Sequence, residues 1–132
     1  MPDTSSAPTL EAFLFCDTVL RDQHGLDTLI RVFTDLHLPG PGETDFSVYL
    51  RFAGGSGPHQ IWLEFESPSY EHLALGEELV TVPGAVATPV HMVIREPGRY
   101  TVQVYLDGYP LAEKALQVTF ASARSPAAPG QS

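Results

Sequence analysis

The sequence contains no asparagine, one cysteine, one lysine and no apolar run long enough to span a membrane. Each shortage removes a class of explanation. Without asparagine there is no N-glycosylation site. Cys16 alone cannot form an internal disulfide, which points to a reducing compartment such as the cytosol. The 7 basic residues are outnumbered by 16 acidic ones, for a net charge of −9. Nucleic acids and anionic membranes are bound through clustered Lys and Arg. Neither is expected as a partner of a chain whose arginines are scattered around the lone Lys114. A basic protein or a neutral ligand is easier to accommodate. Residues 1–8 lack the basic start and apolar stretch of a signal peptide, so the expected localisation is cytoplasmic. An apolar run of roughly 18 residues would be needed for a spanning helix.

What the chain does have is turn chemistry and alternation. Its 132 residues fit one domain, and its 11 glycines and 12 prolines imply many turns. Residues 1–8 and 121–132 are small and polar and read as disordered tails around a domain at 9–120. Within it, Phe46, Val48, Leu50 and Phe52 alternate with polar neighbours, as do Ile61, Leu63 and Phe65. The same holds for Tyr100, Val102, Val104 and Leu106, and for Leu116, Val118 and Phe120. This period fits antiparallel strands with one face in a core and one in water. Segments 9–16, 28–36 and 87–95 are apolar on both faces, and 78–82 adds a short strand. Seven or eight strands at this spacing predict an all-β, immunoglobulin-like antiparallel β-sandwich.

The connections agree with that architecture. Gly54–Pro58 reads as a hairpin loop, and Asp107-Gly108 as a tight turn. Pro97-Gly98-Arg99-Tyr100 resembles the tyrosine corner of immunoglobulin-like domains. Ala112 and Lys114 share parity with Leu116, which predicts a bulge in 112–115. Residues 69–79 allow at most one helical turn before Gly76.

Catalytic and metal signatures are missing. His24, His37, His59, His72 and His91 show no ligand spacing. Cys16 falls in a strand, where it reads as a small buried residue rather than a nucleophile. Ser56 lies in a Gly-rich loop followed by a strand, unlike a nucleophile elbow or a phosphate loop. No cofactor is expected, and the chain reads as a non-enzyme. One acidic grouping is worth testing. If strands alternate direction, Asp17, Asp22 and Asp107 gather at one end near His24, an arrangement that can suit calcium.

Trp62 stands out because it lies on the polar side of its strand, as do Tyr49 and Tyr105 on theirs. A hairpin of 46–52 with 60–66 would place Tyr49 and Trp62 on one outer face bordered by Arg51, Gln60 and Glu64. Aromatics beside Arg on a polar surface are the composition of interaction hot spots. Tyr49, Arg51, Trp62, Glu64 and Tyr105 are therefore the candidate interaction face.

The opening EAFLFCDTVLRDQHGLDTLIRVFTDLHLP and the close EPGRYTVQVYLDGYPLAEKALQV resemble a family of small bacterial proteins of unassigned function. That family pairs a strand ending near Cys-Asp with a Gly turn, and closes on Pro-Gly-x-Tyr and Asp-Gly. Leu26-Asp27 stands here where the family has a basic residue. The resemblance implies a bacterial cytosolic β-sandwich and assigns no functional residues. The expected function is a non-enzymatic protein-interaction or assembly module, including self-association as a homodimer. The alternative is a carbohydrate- or calcium-binding sandwich.

Overall fold

A computed structural model describes residues 7–121, so the expected tails fall almost wholly outside the described residues. The chain is all-β: strands take up 81% of what is described, and no described residue is helical. Seven strands follow in order: β1 Thr9–Arg21, β2 Asp27–Phe33, β3 Asp35–Leu38, β4 Gly42–Glu66, β5 His72–Ile94, β6 Gly98–Leu106 and β7 Tyr109–Phe120. All belong to one hydrogen-bonded sheet, ordered β2-β1-β4-β6-β7-β3 with β5 along β4. It curls into a nearly closed, barrel-like shape.

Continuity comes from β4 and β5, and it corrects the sequence reading in one respect. Segments 46–52 and 60–66 are not a hairpin but two halves of the single strand β4. Likewise 78–82 and 87–95 are both parts of β5. The first half of β4 pairs with β1, and its second half pairs with β6. Between the halves lies Gly54–Gly57, with positive φ at three of its four residues. Glycine adopts such angles without steric cost, so the strand bends here instead of reversing. From Phe52 to Gly57 β4 takes five steps while β5 takes two, from Gly84 to Val82. An odd surplus moves side chains to the opposite face. Phe46, Val48, Leu50 and Phe52 point inward before the bend, and Ile61, Leu63 and Phe65 after it.

These residues form one core with Phe15, Val90, Met92, Ile94, Tyr100, Val102, Val104, Leu116 and Val118. Each large side chain buried this way stabilises by roughly 1.5–3 kcal/mol. Tyr100 also donates its hydroxyl to the Glu96 carbonyl at 2.8 Å, pinning the start of β6.

Three smaller expectations are revised. Residues 67–71 form a hydrogen-bonded turn, and β5 starts at His72, so no helical turn occupies 69–79. The bulge in β7 lies at Leu111, where Val104 faces Ala112 but Tyr105 faces Pro110. Residues 112–115 keep their phase, and Lys114 shares the side of Leu116 with its ammonium 6.0 Å from the Phe15 ring centroid. A lysine can occupy such a place because its stem packs while its cation sits over the ring face. Finally, β3 pairs with β7 in parallel, so the sheet is mixed. No helix among the described residues is long and apolar enough to cross a membrane.

Candidate functional site

The second half of β4 is flanked by β6 on one side and by the start of β5 on the other. With Ile61, Leu63 and Phe65 committed to the core, alternation turns Gln60, Trp62, Glu64 and Glu66 outward. Trp62 stands directly opposite Tyr105 on β6 and opposite Glu77 on β5. The two half-buried aromatics sit in a shallow depression of about 390 Å³ lined by Gln60, Trp62, Glu64, Glu77, Tyr105 and Gly108. Gln60 donates its side-chain amide to Glu77, and the Tyr105 hydroxyl donates to Gln103 Oε1 at 3.1 Å. These contacts hold the rim in place around the rings.

The next rows of the same face are acidic. Glu64 lies opposite Gln103, which in turn faces Glu113 on β7. His72 spans Glu64 at 3.3 Å and Glu66 at 3.2 Å. The described residues of this face include no lysine. Arg99 lies further along β6, two residues beyond Thr101. The result is an aromatic pair bordered by carboxylates and amides. Such a surface can stack on a planar cation and ion-pair with it, or stack on a sugar ring and hydrogen-bond its hydroxyls.

Trp62, Glu64 and Tyr105 are thus brought together, but Tyr49 and Arg51 are not part of this face. The bend puts them on the other half of the sheet. Tyr49 is only 5% exposed and donates its hydroxyl to Asp27 Oδ2 at 3.0 Å. Arg51 lies 3.5 Å from Glu11. Their places beside Trp62 are taken by Glu77 and Gln103, and Glu113 extends the acidic row. The short strand expected at 78–82 stopped one residue short of Glu77, which lies inside β5. Gln103 was legible as the outward partner of Tyr105 two residues away.

The acidic end proposed for calcium does not form. Asp17 is held by Arg31 at 2.5 Å, and this contact keeps its carboxyl below the usual range. Asp22 accepts from the backbone amides of His24 and Leu26 inside its own turn. That turn joins the far end of β1, whereas the start of β1 pairs with Ala53 beside the bend. Asp107 belongs to the bend side. Its carboxylate accepts from the Gln60 backbone N–H at 2.9 Å and contacts His59 Nδ1 at 2.6 Å, and both lower its pKa. No group of three or more His, Cys, Asp and Glu among the described residues could hold a metal ion.

His59 and Asp107 line a second depression of about 510 Å³ with Pro8, Gly55, Tyr109 and Leu111. The other ring nitrogen of His59 contacts the Ser56 backbone carbonyl at 3.3 Å rather than a hydroxyl. The pair therefore fastens the β6–β7 turn to the bend and activates no nucleophile in this arrangement. Cys16 is fully buried, and burial, followed by the neighbouring Asp17 charge, pushes its thiol up, away from the reactive thiolate.

No protein-family model matches the chain, and no curated protein matches it. Solved structures match at low similarity. An alkylpurine DNA glycosylase of Pseudomonas fluorescens, bound to DNA with an abasic-site analogue, is 12% identical with a TM-score of 0.46; the match covers 86% of this chain and 30% of the glycosylase. A superoxide reductase (neelaredoxin) of Ignicoccus hospitalis is 15% identical with a TM-score of 0.42, covering 87% and 82% of the two chains. The CARDB domain of a Pyrococcus furiosus protein, in complex with di-metal ions, is 10% identical with a TM-score of 0.43, covering 90% and 99%. These proteins are of mixed function, and at these scores they carry no argument about activity. They do not point to the small bacterial family that the sequence resembles.

Proposed function

We propose that this chain is a non-enzymatic protein-interaction module whose Trp62–Tyr105 face receives a basic segment of a partner. The observation that carries the reading is the pairing of two outward aromatics inside a rim of Glu64 and Glu77, with Glu66 and Glu113 close by. An arginine laid on these rings gains cation–π contact and a carboxylate partner together. A net charge of −9 steers such a partner toward the chain. We further read the rolled sheet as an immunoglobulin-like sandwich, a reading supported by the Tyr100–Glu96 bond at the start of the penultimate strand. The lone buried thiol of Cys16 suits a cytosolic setting.

Carbohydrate binding is the second reading, favoured by the amides of Gln60 and Gln103 beside the rings. Trp62 is the only tryptophan, so its fluorescence reports on the face directly. An arginine-containing peptide should shift the emission, and Trp62→Ala should abolish the binding seen by calorimetry. Glu64→Gln with Glu77→Gln should weaken it at least tenfold. A response to cellotetraose or maltotriose but not to the peptide replaces the first reading by the second. Silence toward both removes both.

A further inference from the structure

Beyond the described residues, the sequence carries a segment that fits this face: Arg124-Ser125-Pro126-Ala127-Ala128-Pro129. Arg124 is the only cation after Lys114. Two prolines three residues apart fall on the same side of a polyproline II helix, which has three residues per turn. Aromatic grooves with an acidic edge receive such segments, the prolines on the rings and the arginine on the carboxylates. The face offers those two parts in adjacent rows: Trp62 and Tyr105, then Glu64 and Glu113.

Reach decides whose segment it is. The aromatic row meets β7 at Pro110, ten residues before the end of that strand at Phe120. At about 3.3 Å per residue this is roughly 33 Å. Six residues beyond Phe120, even at full extension of about 3.6 Å each, span at most about 22 Å. Pro126 of a chain therefore cannot return to Trp62 of the same chain, while that of a neighbouring copy has no such restriction.

We propose that residues 124–129 of one copy of this chain dock on the Trp62–Tyr105 face of a second copy, with Arg124 against Glu64 and Glu113 and the two prolines on the rings. This rests on the reading of the face as a receptor for basic segments. It makes the chain a self-associating module through a charge-complementary contact.

The test uses the full chain. Sedimentation at moderate salt, where the repulsion between two chains of net charge −9 is screened, should show concentration-dependent association. Arg124→Glu should raise the dissociation constant at least tenfold and move Trp62 emission to longer wavelength. Pro126→Ala with Pro129→Ala should act in the same direction. A synthetic peptide of residues 121–132 added to Arg124→Glu protein should restore the shorter-wavelength emission. Unchanged mass and emission in Arg124→Glu, with no response to the peptide, overturns the proposal. A monomer whose emission still responds to Arg124→Glu also overturns it, in favour of docking within one chain. If the peptide is silent but an unrelated arginine–proline peptide binds, the self-association falls and the receptor reading stands. If neither binds, both fall.

Discussion

The Tyr49 hydroxyl donates to Asp27 Oδ2 at 3.0 Å, bringing the start of β2 to the outer side of β4. Asp27 also receives Arg21 at 2.7 Å and is nearly enclosed, its side chain 7% exposed. The far end of the β1–β2 hairpin thus lies against a face that alternation alone would leave in water. Tyr49→Phe removes one hydrogen bond to a charged, enclosed acceptor, a loss of about 1.5–3 kcal/mol. The thermal midpoint should fall accordingly. Cys16, fully buried on the same side of the sheet, should react faster with a maleimide in this variant.

Asp27 also sets an acid limit. Its carboxyl is held below the usual range first by the Arg21 hydrogen bond and then by that of Tyr49, against the opposing effect of burial. Its folded pKa lies below the unfolded one, so its contribution is complete above about pH 4 and is lost as pH falls through the folded value. Asp17 and Asp107 are lowered too and act in the same sense. His91 has the opposite sign. Asp45 and then Glu43 raise its pKa, so its contribution is complete below about pH 6.5 and is lost as pH rises through the raised value. Urea midpoints measured against pH should decline on the acid side, and Asp27→Asn should flatten that decline. His91→Gln should remove the part lost as pH rises above about 6.5.

Much of the architecture was legible, because each half of β4 alternates cleanly and one face of each enters the core. The joining of the halves was not. Gly54–Pro58 has the composition of a hairpin loop, and only the pairing of Phe52 with Gly84 and Gly57 with Val82 shows a strand that bends and continues. The misplacement of Tyr49 follows from this: period two says which side it faces, but not that a distant hairpin comes to lie there. Trp62 and Tyr105 were readable as outward residues, and their adjacency depended on strand order. Composition carries no information on that order.

Lys114 shows a different limit. Its inward parity suggested a bulge, yet it keeps register with Val102 and places its ammonium over Phe15. Lys114→Glu sets a carboxylate near the negative face of that ring and should cost about 1–2 kcal/mol. Lys114→Met keeps the packed stem and should stay within about 1 kcal/mol of the native chain. Chemical denaturation of both variants separates the charge from the stem.

Thr88 lies in the core opposite Val48, and its Oγ1 is buried without a hydrogen-bond partner. The hydroxyl therefore gives up water and receives nothing in exchange. Thr88→Val keeps the branched shape and removes the stranded group, so it should stabilise by about 1 kcal/mol. Urea unfolding with an unchanged slope would attribute the gain to the native core.

Gly84 sits where the ribbon of β4 and β5 bends, and a Cβ there would lie 2.7 Å from the Thr81 carbonyl oxygen. That oxygen belongs to backbone and cannot swing away as a side-chain end could. Gly84→Ala must therefore push β5 outward at its pairing with Phe52. Phe52 is 2% exposed, so the displacement opens the core beside one of its largest side chains. The cost should reach about 1–3 kcal/mol, the range of steric overpacking. Hydrogen exchange should quicken first at the amides of 52–57, Val82 and Gly84, before protection falls around Val102. Equal exchange in both proteins would mean that the bend tolerates the methyl group and that the close approach at Thr81 imposes no constraint.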